Sequence, residues 1–206
     1  MEQNFRVVKG KKSFSQAHQD LFVVAMTGEK RSGSYVELGA GHPFQNSNTA
    51  LLELDYGWEG VSWELDSDLH RLFVINRLNR CLGEDVFSFD FRFFFESTFS
   101  QRQIDYLSLD VDDNLRLLQI LPFDCYRFSV ITFEHDSYRN GPEDMLKSRI
   151  FFEGLGYKRV VSNVLTQGRD FEDWYVDPEV VPESLFSKYV GNRVEAVDIF
   201  DSLEAL

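Results

Sequence analysis

The chain has 206 residues, 43% of them hydrophobic, which suits one domain with a sizeable core and excludes global disorder. A formal charge of −13 opposes a phosphate backbone, so nucleic acid is not an expected partner, and the basic clusters Lys9–Lys12 and Lys30–Arg31 are short. Two cysteines, Cys81 and Cys125, without CxxC spacing exclude a disulfide framework, and no apolar run reaches the ~20 residues of a membrane span; with the polar start Met1–Lys12, the expected location is the cytoplasm.

Along the chain, short β-rich apolar runs alternate with amphipathic segments, the pattern of βαβ units in an α/β sheet. Gln16–Met26, within an opening helical stretch 15–28, offers Leu21, Phe22 and Val24 for burial on the domain. Ser34–Leu38 is the first strand and runs into the turn Gly39-Ala40-Gly41. Ser47–Tyr56 follows as a helix that Ser47 can cap, with Ala50, Leu51 and Leu54 at helical spacing and Gly57 as its stop. Val61–Leu65 and Ser67–Asn76 are the next strand and helix, and Val86–Phe89, within a phenylalanine-rich run, reads as the third strand.

Ile104–Val111 is a nearly continuous apolar run ending in acid, as a buried central strand should be. Asn114–Ile120 is a short helix stopped by Pro122, Phe128–Phe133 is the fifth strand, and Pro142–Leu155 is a helix with Gly156 at its end. Tyr157–Ser162 and Phe171–Val176 read as a closing pair of strands. One domain over 1–180 therefore precedes an acidic tail, 181–206, readable as a docked helix or a partner-binding arm.

Two glycines just past a strand and shortly before a helix let a ligand approach the backbone of Gly39, Ala40 and Gly41. Glu37, beside that turn, is a poor neighbour for a pyrophosphate and a good one for an ammonium group. The third glycine of GxGxxG is replaced by Phe44, which also disfavours a dinucleotide. S-adenosyl-L-methionine carries an amino group and a sulfonium and no phosphate, and so fits both facts. Glu64, 23 residues after Gly41 at the end of the second strand, can accept hydrogen bonds from ribose hydroxyls, with Leu65 next to it. Asp90 can meet an adenine amino group while Phe89 or Phe91 packs on the ring, and Asn48 can bind the cofactor or cap its neighbours.

These residues together resemble the FkbM-like family of class I S-adenosylmethionine-dependent methyltransferases, over about 15–178. The resemblance rests on Ser15-Gln16 with Gln19-Asp20-Leu21-Phe22-Val23, on Tyr35 to Gly41, and on Ser47-Asn48-Thr49. It continues in Gly57-Trp58-Glu59-Gly60, Glu64-Leu65-Asp66, Ile104 to Val111 and Ile131 to His135. It implies a Rossmann-like, mostly parallel seven-stranded sheet with helices on both faces and one antiparallel strand. It also implies cofactor at the ends of the first two strands, acceptor over the ends of the fourth and fifth, and methylation of a hydroxyl oxygen. The chain departs from the family at Asp110-Val111-Asp112-Asp113, which lacks a glycine, and at His42-Pro43, where Asp-Gly is common.

Methyl transfer to an alcohol needs an aligned oxygen and a group to take its proton. Asp110 ends the fourth strand and Glu134, His135 and Asp136 end the fifth, so Asp110, Glu134 and His135 are the catalytic candidates, with His135 as base. The same set could instead hold a divalent, Mg-like ion. The acceptor expected is a sugar, a glycan or a small natural product, with self-association left open. An NAD-dependent oxidoreductase or epimerase and a non-catalytic interaction module are the alternatives.

Overall fold

The computed structural model describes residues 6–8, 10–166 and 168–190. Its centre is a seven-stranded sheet of β3 (Ser34–Leu38), β4 (Glu59–Trp63), β5 (Arg80–Leu82), β6 (Gln103–Leu109), β7 (Arg127–Glu134), β8 (Lys158–Thr166) and β9 (Arg169–Val176). The order across the sheet is β5-β4-β3-β6-β7-β9-β8. Strands β3 to β7 pair in parallel, and β9 runs antiparallel to both its neighbours, β7 and β8. The mostly parallel sheet with one antiparallel strand is as expected. A hairpin of β1 (Arg6–Val8) and β2 (Lys11–Ser13) precedes it, unforeseen in the sequence reading.

Alternating side chains of the apolar strands feed two cores, as a sheet covered on both faces requires. Tyr35, Tyr106, Val130 and Trp174 pack with α1 (Gln19–Met26), α2 (Ala50–Tyr56) and α8 (Glu183–Phe186). Val36, Leu107, Ile131 and Tyr175 pack with α4 (Phe91–Thr98), α5 (Asn114–Ile120) and α7 (Glu143–Gly154). α3 (Ser67–Asn76) adds Phe73 against Ala40 and Cys81, and the short α6 (Ser137–Asn140) follows β7.

Three local expectations need correction. The stretch 86–89 is not the third strand: β5 lies earlier, and Val86–Ser88 forms a 3-10 turn. Phe87, Phe89 and Phe91 mimic strand alternation, but Phe91, Phe94 and Phe95 are buried while Phe93 is 71% exposed, a helical face. The Asp90 carboxylate accepts from the Phe93 amide and starts that helix. The opening helix begins at Gln19 rather than Gln16, because Ser13 to His18 wrap around the Asp20 carboxylate. Asp20 accepts from Ser13 Oγ at 2.7 Å and the Phe14 amide at 2.7 Å, while Ser15 Oγ accepts from the Asp20 amide at 3.0 Å. Helix α2 starts at Ala50, whose amide donates to Ser47 Oγ at 3.2 Å. Of the tail 181–206, residues 191–206 lie outside the described residues; Val181, Phe186 and Tyr189 pack into the α1-side core.

Candidate functional site

Strand order reverses between β3 and β6, and in open α/β sheets the crevice beyond the carboxyl ends at such a reversal is where ligands bind. A cleft of about 580 Å³ lies there, within the usual range of small-molecule sites. Gly39 contributes from the end of β3, Trp63, Glu64 and Leu65 from β4, and Glu84 to Phe87 from the loop after β5. Asp110 and Asp112 follow β6, and Glu134, Asp136 and Arg139 follow β7. Seven carboxyl side chains and one guanidinium thus line the cleft among the described residues.

Its floor is the glycine turn. The amides of Gly39 and Ala40 both donate to the Trp63 carbonyl, and the Asp110 amide donates to the Leu38 carbonyl at 3.0 Å. A Cβ at Gly39 would stand 1.8 Å from the Asp110 carbonyl oxygen, so β3 and β6 approach this closely only with glycine there. Gly41 also has positive φ, +58°, but faces open space. The Glu64 carboxylate accepts from the Gly41 amide at 2.6 Å and from the Asp66 amide at 2.8 Å, and so clamps the turn to the end of β4.

Apart from Gly41, whose amide binds Glu64, the expected site residues separate into three groups. Gly39, Glu64, Leu65, Asp110 and Glu134 line the cleft, with Leu65 68% exposed. Glu37, Ala40 and Asn48 are buried beneath the turn. Glu37 Oε2 accepts from Thr49 and Ser62 hydroxyls at 2.8 and 2.6 Å, and burial pushes its carboxyl up to about 7 against the pull of Arg77. Asn48 Nδ2 donates to Ser108 Oγ at 3.0 Å, and the Ala40 methyl meets Phe73 and Cys81. Asp90, Phe91 and His135 are elsewhere. Asp90 caps α4, and Phe91 is core beside Trp63 and Phe95.

His135 does not line this cleft. It is 3% exposed; its Nδ1 accepts from the Ser137 amide at 3.2 Å, and its Nε2 stands 3.6 Å from Asp173. Asp173 in turn holds Arg149, and His135 together with Arg149 keeps its carboxyl below the usual carboxylate range despite its burial. Strand alternation turns Glu134 toward the cleft and its successor away.

Glu84, Asp85, Val86, Phe87 and Asp112 line the cleft without having been candidates from sequence, and Asp136, noted at the end of the fifth strand, lines it too. Asp85 accepts from the Phe87 amide at 2.9 Å and sits on the loop that leaves β5. Placing that strand at 80–82 would have found it. The Trp63 indole N–H, buried on the cleft wall, has no partner among the described residues. A ligand acceptor would satisfy it.

Glu134 lines the cleft together with Asp110 and Asp136. Burial, then these two neighbours, pushes Glu134 far above the ordinary carboxylate range, and burial also raises Asp110. Among the described residues, no group of three or more His, Cys, Asp or Glu side chains is arranged to hold a metal ion.

The architecture, with sheet order and glycine turn, is the class I methyltransferase fold. No family model matches the chain, and no curated protein matches it. Solved structures share the fold at low identity. The METTL16 methyltransferase domain is 14% identical over 77% of this chain and 67% of that one, with a TM-score of 0.54. A protein from Clostridium thermocellum described as an rRNA methylase is 10% identical over 79% of this chain and 95% of that one, with a TM-score of 0.53. TrmK of M. capricolum, solved with S-adenosyl-homocysteine, is 9% identical over 77% and 67%, with a TM-score of 0.51. Among the described residues no helix is long and apolar enough to cross a membrane.

Proposed function

We propose that the chain is an S-adenosyl-L-methionine-dependent methyltransferase of the FkbM-like kind that methylates a hydroxyl oxygen of a sugar, glycan or small natural product. The observation that carries this is the acidic cleft at the sheet's reversal point, its turn clamped by the 2.6 Å bond from the Gly41 amide to Glu64. A phosphate-bearing dinucleotide meets seven acidic side chains there, whereas a ligand that is cationic and phosphate-free meets complementary charge. The bound homocysteine product in TrmK, which shares the fold, supports the same reading.

In this reading Glu64 has lone pairs left for ribose hydroxyls, and Asp85 accepts from the adenine amino group. Leu65, Val86 and Phe87 enclose the base. When bound, the cofactor supplies an electrophilic methyl on a positively charged sulfur. Asp110 and Glu134, at the ends of adjacent central strands, orient the acceptor hydroxyl and take its proton. His135 positions β9 through Asp173 rather than touching the acceptor. The acidic lining and the charge of −13 favour a small polar acceptor over RNA, although one protein of this fold is described as an rRNA methylase.

Calorimetric titration tests the proposal. S-adenosyl-homocysteine should bind one site per chain and NAD should not. Binding of NAD in preference would move the chain to the oxidoreductases, and binding of neither would leave an interaction module.

A further inference from the structure

S-adenosylmethionine would bring an anion into the cleft as well as two cations, because its amino-acid end carries a carboxylate beside the ammonium group. The seven acidic side chains that suit the cations repel that carboxylate. An anion drawn out of water among acids needs a donor of its own.

In an α/β sheet such an anion often falls to backbone amides at strand ends and helix starts. Here those amides are engaged within the protein. At the glycine turn Gly39 and Ala40 donate to the Trp63 carbonyl, at 3.1 and 2.9 Å, and Gly41 donates to Glu64. At the end of β6 the Asp110 amide donates to the Leu38 carbonyl and the Val111 amide to Asn114 Oδ1, at 3.0 and 3.1 Å. After β7 the amides of His135 and Asp136 share the Phe171 carbonyl, and that of Ser137 donates to His135 Nδ1.

Among the described residues that line the cleft, Arg139 alone is cationic. Asp136 starts α6 in a left-handed backbone, φ 48°, and the Arg139 amide donates back to the Asp136 carbonyl at 2.8 Å. The guanidinium therefore springs from the first turn beyond β7. Its side chain is 62% exposed, and its Nη1 meets Asp136 Oδ2 at 3.5 Å, the long limit of a hydrogen bond. A guanidinium offers five N–H donors in a planar fork that matches the two oxygens of a carboxylate, and one long bond leaves most of that fork unused.

We propose that Arg139 takes the carboxylate of the cofactor's amino-acid end, and so makes the cleft select an amino acid over the corresponding amine. This rests on the reading of the cleft as an S-adenosyl-L-methionine site. With adenosine held at Glu64 and Asp85, the opposite end of the cleft, from Asp110 to Arg139, receives the amino acid. The ammonium meets the acids and the carboxylate meets the guanidinium. Without Arg139 the same acids would favour a decarboxylated ligand, which keeps the positive charge and has no anion to seat.

The test needs no acceptor. The intact protein and its Arg139→Ala and Arg139→Lys variants are titrated calorimetrically with two ligands. One is S-adenosylhomocysteine; the other is S-adenosyl-3-thiopropylamine, the same molecule without its carboxylate. Arg139→Ala should weaken S-adenosylhomocysteine by about 5-fold or more, the effect of a charge-assisted bond at a partly exposed site, and should not weaken the amine. Arg139→Lys, which keeps the charge and loses the fork, should fall between the two for S-adenosylhomocysteine. Added salt should narrow the gap between wild type and Arg139→Ala for that ligand alone. Equal losses for both ligands, or no loss for either, would overturn the inference and leave the cofactor reading standing. Failure of both ligands to bind the wild-type protein would overturn both.

Discussion

The Glu64 carboxylate and the Gly41 amide, 2.6 Å apart, join the ends of two parallel strands across the mouth of the cleft. One oxygen of Glu64 takes that amide and the other takes the amide of Asp66, whose own side chain caps α3. A single acid thus shapes the glycine turn and starts the next helix. It keeps lone pairs facing the cleft.

Removing it should therefore do two things. Glu64→Ala should weaken S-adenosylhomocysteine binding by about 1.5–3 kcal/mol, the worth of a hydrogen bond to a charged group. Glu64→Gln, which keeps one acceptor oxygen, should lose less. Titration of both variants checks this, and unchanged affinity in Glu64→Ala would remove the residue from the cofactor site.

The two neighbouring acids after β5 separate in the same assay. Asp85 lines the cleft and Asp90 caps α4. Asp85→Ala should cost about 1–3 kcal/mol of cofactor binding. Asp90→Ala should instead lower folding stability by about 1 kcal/mol, the usual cost of a lost cap, with affinity unchanged. The reverse pattern would restore Asp90 to the adenine pocket.

Gly39 and Gly41 differ in what surrounds them. With the Asp110 carbonyl 1.8 Å from a built Cβ, Gly39→Ala forces the β3 and β6 ends apart. It should cost more than about 3 kcal/mol or prevent folding. Gly41→Ala meets no atom and carries only left-handed strain, about 1–2 kcal/mol. Urea unfolding of the two variants distinguishes them.

His135→Asn should act on stability. The imidazole bridges the Ser137 amide and the buried Asp173, so its loss leaves a carboxylate short of a partner. A drop of about 1–3 kcal/mol in unfolding free energy with unchanged S-adenosylhomocysteine affinity is expected. A variant of full stability would contradict the structural role.

Glu172 sets a pH dependence. It is buried, accepts from Gln19 Nε2 at 2.9 Å and Trp174 Nε1 at 2.7 Å, and burial pushes its carboxyl from 4.5 up to about 8. A raised folded-state value means that the folded protein holds a proton the unfolded chain has given up. Its stabilising contribution is complete below 4.5 and is lost as pH rises through about 8. Glu37, raised to about 7, acts in the same direction over a narrower window. Glu172→Gln should flatten the fall in stability between pH 5 and 8 by up to about 1.4 kcal/mol per pH unit. Chemical denaturation across that range measures it.

The central strands β3, β4, β6 and β7 and the glycine turn were legible because they are local. Ser34–Leu38, Ser67–Asn76 and Asn114–Ile120 have the bounds their periodicity predicts, since a backbone period and a cap need only neighbouring residues. The spacing of Glu64 from Gly41 was legible too, because βαβ geometry sets how far apart consecutive strand ends fall. What depended on three dimensions was orientation. Nothing local distinguishes Glu134, which faces the cleft, from His135, which faces Asp173; that follows from which side of β7 receives β9. The phenylalanine run fits two periods, and only the face left free beside Trp63 selected the helix of Phe91, Phe94 and Phe95. The meeting of Asp110 and Glu134 in one cleft is likewise a property of distance between strand ends, and distance between strands is what tertiary structure alone decides.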